Sequence, residues 1–163
     1  MAPGLILRDA VPADVPTIAR FVRALAEYEK LGHEVRGTEA DFHAAIFGQP
    51  ARAGCLIAEV DGVAAGMALY HWTFSTFLAR HGRWLEDLWV EPAHRRRGIA
   101  KALFARLAAE TLAEGGGRLA WNVLDWNTPA IATYDAMGAE TLKEWITRRL
   151  AGDALRSLAA EAA

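Results

Sequence analysis

Leu88-Trp89-Val90-Glu91-Pro92-Ala93-His94-Arg95-Arg96-Arg97-Gly98-Ile99-Ala100-Lys101-Ala102-Leu103 is the stretch on which the reading of this chain turns. An apolar strand-like run ends at Val90 and is cut by Glu91-Pro92. A short basic turn follows, and from Gly98 the apolar residues recur at helical spacing. A strand, a basic turn and a helix that begins at a glycine make an anion site. The first N–H groups of a helix have no intrahelical partner, and the helix dipole adds partial positive charge there. Arg95, Arg96 and Arg97 bring full charges to the same place, with Lys101 just beyond them. At Gly98 no side chain keeps a diphosphate from the backbone. The same residues also suit a solvated basic turn that merely caps a helix. There is no Gly-Lys-Ser/Thr as in a Walker loop, and only one of the glycines of a dinucleotide fingerprint.

Working toward the N-terminus, Arg83 to Val90 reads as the strand that feeds this turn. Before it, Gly54 to Val60 and Val63 to Phe74 are strand-like runs joined by Asp61-Gly62, a two-residue hairpin signal. Thr38-Glu39-Ala40-Asp41 resembles a capping box and starts a short helix through Phe47. From Pro12 to about Tyr28, Val15, Ile18, Ala19, Val22, Leu25 and Ala26 fall on one helical face. Leu5 to Arg8 is a first short strand. Toward the C-terminus, Gly98 to Glu114 is helical, with Ile99, Leu103 and Leu107 on one row and Phe104, Ala108 and Leu112 on the next. Gly115-Gly116-Gly117 stops it. Leu119 to Leu124 reads as a strand, and Pro129 to Met137 as a helix opened by Asn127-Thr128 and ended by Gly138. Glu140 to Lys143 and Ile146 to Leu150 read as strands, followed by a helical tail from Asp153. This order implies an α/β chain (α+β, mixed sheet) with helices on both faces, and not a doubly wound alternation.

The 163 residues suit a single domain, with 53% hydrophobic and 23% charged residues. A net charge of −2 gives no reason to expect nucleic acid as a partner. The lone Cys55 forms no intramolecular disulfide, fits a reducing compartment and, within a strand-like run, reads as a buried apolar residue. No run approaches the ~20 apolar residues of a membrane span, and Met1 to Asp9 lacks the features of a signal peptide. A cytoplasmic protein with no membrane partner is the expectation. The five histidines show no metal spacing, so no metal is expected, and no serine has a G-x-S-x-G context.

Arg95-x-x-Gly98-x-Ala100, preceded by Val90-x-Pro92, resembles the pyrophosphate loop of the GNAT acetyltransferase superfamily. A second segment adds to it: Asn127 is followed by Tyr134 seven residues later, and then by Gly138-Ala139. Within the superfamily the chain is most similar to the diamine (spermidine/spermine) acetyltransferases and their thialysine-acetylating relatives. Leu25-Ala26-Glu27-Tyr28-Glu29, Leu85-Glu86-Asp87-Leu88-Trp89-Val90, Arg96-Arg97-Gly98-Ile99-Ala100 and Tyr134-Asp135-Ala136-Met137-Gly138-Ala139 carry that likeness over nearly the whole chain. Val123-Leu124-Asp125-Trp126-Asn127 is closer to the thialysine branch.

The resemblance implies the GNAT fold, a central mixed sheet splayed to admit the pantetheine arm of acetyl-CoA. It implies transfer of the acetyl group to a small primary amine by direct attack, and a homodimer. Leu88, Trp89, Val90, Arg95, Arg96, Arg97, Gly98, Ile99, Ala100, Lys101, Asn127 and Tyr134 would bind acetyl-CoA. Tyr134 matches the general acid for the departing thiolate, since a phenol stays protonated at neutral pH. Glu86 would accept the ammonium proton. Glu29, Glu86, Asp87, Asp125 and Glu144 would hold the cationic substrate, although the spacing around Glu144 departs from the family pattern. Because successive strand residues point to opposite faces, Glu86 and Asp87 are not expected to line one cleft equally. Some of the six tryptophans suit cation–π walls, and most suit a core or a dimer interface. Alternatives on the same fold are a protein or peptide N-acetyltransferase and a non-catalytic acyl-CoA sensor. A nucleic-acid binder using His94 to Arg97 is disfavoured by the charge balance.

Overall fold

Alternating apolar runs joined by tight turns build an antiparallel sheet first, and the helices then cover its faces. The computed structural model describes residues 3–162; the part of the N-terminal reading that rests on Met1 and Ala2 lies outside them. The chain divides into two compact units, Met1–Leu124 and Asp125–Ala163.

The first unit holds five strands: β1 (Leu5–Asp9), β2 (Gly54–Val60), β3 (Val63–Ser75), β4 (Arg80–Val90) and β5 (Leu119–Trp121). They lie in the order β1-β2-β3-β4-β5, antiparallel except for the parallel pair β4–β5. The sheet is therefore mixed, as expected. The Asp61-Gly62 turn has positive φ at both residues (52° and 79°), the twist a two-residue hairpin needs. The β4–β5 ladder runs only from Arg83↔Leu119 to Leu85↔Trp121, so β5 does not continue beside the rest of β4.

Three helices of this unit, α1 (Val15–Tyr28), α2 (Glu39–Phe47) and α3 (Ile99–Ala113), complete it. Thr38 caps α2 with the expected box: its hydroxyl accepts from the Asp41 N–H, and the Asp41 carboxylate accepts from the Thr38 N–H at 2.8 Å. Ile18 and Phe21 of α1 and Ile46 of α2 pack on one sheet face with Cys55, Ile57, Met67, Leu69 and Trp89. Phe21, fully buried, belongs to that face although the helical stripe read from the sequence omits it. Cys55 is buried in this cluster. Ile99, Leu103, Phe104 and Leu107 of α3 are buried against the other face. Each such large side chain contributes about 1.5–3 kcal/mol by leaving water. Leu112, assigned to the same helical rows, is 72% exposed.

The second unit contains α4 (Thr128–Asp135) and α5 (Gly152–Ala160). Here the expectations need correction. The strand read over Leu119 to Leu124 ends at Trp121. Glu140 to Lys143 and Ile146 to Leu150 form no strand, and both stretches are exposed. An apolar pattern becomes a strand only where a neighbouring edge takes up its N–H and C=O groups. Among the described residues no ladder reaches these two segments.

Candidate active site

The turn between β4 and α3 forms a concave, basic rim at the start of a helix. Arg96 (φ 59°) and Gly98 (φ 82°) both take the left-handed conformation, which curls successive N–H groups toward one concave side. For Arg96, a residue with a Cβ, this costs about 1–2 kcal/mol. A Cβ added at Gly98 would meet nothing within 4 Å, so its left-handed φ and open surroundings explain the glycine. The first helical hydrogen bond runs from the Ala102 N–H to the Gly98 carbonyl at 3.0 Å. The N–H groups of Ile99, Ala100 and Lys101 thus precede any intrahelical acceptor. Arg96, Arg97 and Lys101 are exposed around this rim, and Arg97 lies 3.2 Å from Nδ1 of His94.

Arg95 is used differently. Its Nε donates to the Val90 carbonyl at 3.0 Å, and its guanidinium lies over the rings of Trp89 (4.8 Å) and Tyr28 (5.2 Å). An ion pair between Arg20 and Glu91 makes a second tie between α1 and the turn. Arg95 therefore holds the end of α1 against the end of β4 and offers the anion cradle a fixed frame.

The acidic residues sit on β4 itself. Its register against β3 shifts between Leu69, paired with Asp87, and Tyr70, paired with Leu85. Glu86 is the extra residue of a β-bulge, and a bulge resets the alternation of side chains. Arg83 consequently reaches α3 on one face, while Trp89 belongs to the α1 cluster on the other. Glu86 and Asp87 both turn to the α1 face. Glu86 lies 3.7 Å from His71, whose ring stacks on Trp84, its cross-strand partner. The expectation that these two acids diverge is corrected by the bulge, which no residue pattern announces.

Asp87 is the more perturbed of the two. Burial, then the neighbouring charges of Glu86 and Glu29, push its carboxyl up to about 6. Glu29 follows the last turn of α1, and burial raises its carboxyl too. The structure thus brings together three of the five acids assigned to substrate. No cation is among the groups that set Asp87's ionisation. Two more tyrosine and histidine side chains, Tyr28 and His71, belong to this neighbourhood. The likeness included Tyr28 without a role, and His71 has no signal beyond its residue type.

Leu88 and Val90 are half-buried, and Trp89 is 6% exposed. Beyond Leu85, β4 has no ladder to β5. That part of the strand is the open side of a splay. In the second unit, Asn127 is the N-cap residue of α4, and its carbonyl accepts from Ala130 and Ile131 N–H groups. Tyr134 is half-buried on α4, seven residues on, which is two helical turns. Gly138 follows with φ 82°. Asp125 and Glu144 are exposed in turns. The described residues contain no helix long and apolar enough to cross a membrane.

Known proteins match this arrangement. The profile of the acetyltransferase (GNAT) family matches residues 19–139. The thialysine N-epsilon-acetyltransferase of Mus musculus is 35% identical over 164 residues, covering 94% of this chain and 96% of that protein. The L-ornithine N5-acetyltransferase of Arabidopsis thaliana is 29% identical, over 93% and 86% of the two chains. Among solved structures, an integron cassette protein from V. cholerae superposes with a TM-score of 0.79 at 21% identity, covering 97% of this chain and 99% of that one. The last is a likeness of fold. The family match runs from α1 through the bulged strand and the anion cradle to the end of α4, and the chain belongs to the GNAT family of acetyltransferases.

Proposed function

We propose that the protein transfers the acetyl group of acetyl-CoA to a small primary amine, a diamine or polyamine or a thialysine-like amino acid. The observation that carries this reading is the bulge in β4, which turns Glu86 and Asp87 to the face where α1 delivers Glu29. Three carboxylates in a partly desolvated site favour a substrate with a cationic amine, because each opposite charge gains more there than in water. The relatives named for thialysine and for ornithine both carry amines of this kind in those names.

The residues fit acetyl-CoA. Its pyrophosphate suits the cradle of N–H groups at Arg96 to Lys101, with Arg96, Arg97 and Lys101 supplying charge. Its pantetheine arm suits the unladdered edge of β4 at Leu88 to Val90. Asn127 belongs to the cofactor set by family likeness. Arg95, by contrast, acts on the frame of the loop rather than on phosphate. Asp125 and Glu144 are left as outer substrate acids.

The amine must lose a proton before it can attack, since an alkylammonium resembles lysine with a pKa of about 10. Asp87 and Glu29 hold the ammonium form, and Glu86 takes the proton. The nitrogen then bonds to the thioester carbon, and the tetrahedral intermediate collapses as the C–S bond breaks. The sulfur leaves as thiolate and takes a proton from the Tyr134 hydroxyl, and the second proton that the nitrogen sheds on becoming an amide restores the phenol through solvent. The two units are proposed to act as one catalytic domain, since the family match crosses Leu124–Asp125. A cytoplasmic homodimer completes the reading, and equilibrium sedimentation measures that association.

The test is release of free CoA with spermidine, putrescine, thialysine, ornithine, lysine and a peptide as acceptors. The expected result is turnover of a small amine, with Tyr134→Phe losing on the order of 10²-fold in kcat while acetyl-CoA binding is retained. Binding of acetyl-CoA without turnover of any acceptor would replace this reading with that of an acyl-CoA sensor.

A further inference from the structure

We infer that His71 is the outlet for the amine's proton, a relay residue that acts through Glu86 rather than on the substrate. The inference rests on the proposed acetyl transfer and names a component that no family likeness assigned.

The geometry defines where the proton on this ring sits. Nδ1 lies 3.3 Å from the Trp72 carbonyl. A carbonyl oxygen only accepts, so Nδ1 carries the hydrogen. In the neutral ring Nε2 then presents a lone pair, and it faces Oε2 of Glu86 at 3.7 Å. Two acceptors facing one another repel. The approach is favourable only when one proton sits on Nε2 or on Glu86, so the pair is built to hold a single proton. Stacking on Trp84, with ring centroids 6.4 Å apart and planes 28° from parallel, keeps the imidazole turned toward the bulge.

The position suits an outlet. The side chains of His71 and Glu86 are 42% and 56% exposed, whereas Asp87 on the same bulge is half-buried. The other titratable groups on this face include Asp87 from β4, Glu29 from the end of α1, the Cys55 thiol from β2, and Asp14 and Arg8, which pair with one another and whose charges act on that thiol. Cys55 is buried, and its thiol is pushed up to about 12, so it takes no part. The proton count balances. The ammonium gives a proton to Glu86, Glu86 passes it to Nε2, and the imidazolium loses it to water at its exposed edge. The proton that Tyr134 gives to the thiolate is a separate one, replaced by the second proton that the nitrogen sheds on becoming an amide.

The experiment compares wild type, His71→Gln and Glu86→Gln in CoA release at varied pH, with thermal unfolding as a check on folding. Expected for His71→Gln is a fall in kcat on the order of 10-fold near neutral pH. KM for amine and for acetyl-CoA should stay within about twofold of wild type, as for a group outside the binding contacts. Added imidazole buffer should restore part of the rate. Combining the two substitutions should cost little more than Glu86→Gln alone, because both act in one path. A wild-type kcat in His71→Gln at every pH, or a loss that imidazole leaves untouched and that comes with raised KM, would overturn the relay. Either result leaves the acetyl transfer intact so long as wild type turns over and Tyr134→Phe does not. Absence of turnover in wild type removes the reaction itself.

Discussion

Arg83, fully buried, and Asp87, half-buried, are ionisable side chains on one strand, four residues apart, and the molecule treats them in opposite ways. Arg83 points to the α3 face and is 2% exposed. Its guanidinium donates to the Leu107 carbonyl at 3.4 Å, to Thr111 Oγ1 at 3.1 Å and to Glu114 at 2.5 Å, and Glu110 lies 3.4 Å away. Asp87 points to the α1 face, where the charges that act on it, Glu86 and Glu29, have its own sign. One buried charge is neutralised and fastens a helix to a strand. The other meets charges of its own sign, at a cost in stability. A buried charge matched within the fold is structural, and one crowded by like charges is a candidate for function.

The strongest way to break the contrast is to remove its structural half. Arg83→Ala leaves Glu110 with only Arg106 and Glu114 with only His81 beside it, and opens a cavity, and it should cost about 3–5 kcal/mol. Denaturant unfolding measures this; a loss below about 1 kcal/mol would mean the network is as weak as a surface pair.

Asp87→Asn should act in the opposite direction. A carboxyl raised in the folded state from 3.8 to about 6 gives stability that is full below the unfolded value and is lost as pH rises through the folded one. At pH 7 the whole penalty is present, so Asp87→Asn should gain about 2–3 kcal/mol while losing amine turnover. Wild type minus variant, followed by Tm across pH 4 to 7, should converge toward acid pH. A constant difference across that range would show that Asp87 ionises normally.

Arg95→Ala removes two cation–π contacts and one hydrogen bond, and should cost about 1–2 kcal/mol. If Arg95 frames the loop, Arg95→Ala should weaken both acetyl-CoA and amine, and added salt should change that little. Loss of acetyl-CoA affinity alone, with a steep salt dependence, would return Arg95 to direct phosphate contact.

The smallest effect sharpens the acidic half. Glu29→Gln removes one of the two negative charges acting on Asp87 and should move the acid limb of the rate profile to lower pH. An unmoved limb would separate Glu29 from the site.

Much of the fold was legible because it rests on local chemistry. Asp61-Gly62, the Thr38 box, Gly98 and the glycines after α3 each impose backbone geometry within a few residues. The same holds for the anion cradle, since a strand end, a basic turn and a glycine-started helix are neighbours in the chain. Strand-like runs at Glu140 to Lys143 and Ile146 to Leu150 misled, because a strand depends on an edge that lies far away in sequence. Leu112 misled for a related reason: a helical repeat shows which residues share a row, and not where the sheet beneath it ends.

By itself, the sequence determined the elements from the first strand through α3, the glycine-started basic turn before α3, and Glu29, Glu86, Asp87 and Tyr134 as candidates for the proposed chemistry. Tertiary structure alone decided which of the acids share a face, that Arg95 is spent on Tyr28 and Trp89, and that His71 stands beside Glu86. The physical reason is register. Pairing between β3 and β4 is set by packing on both faces of the sheet, and one bulged residue reverses the direction of every side chain that follows it.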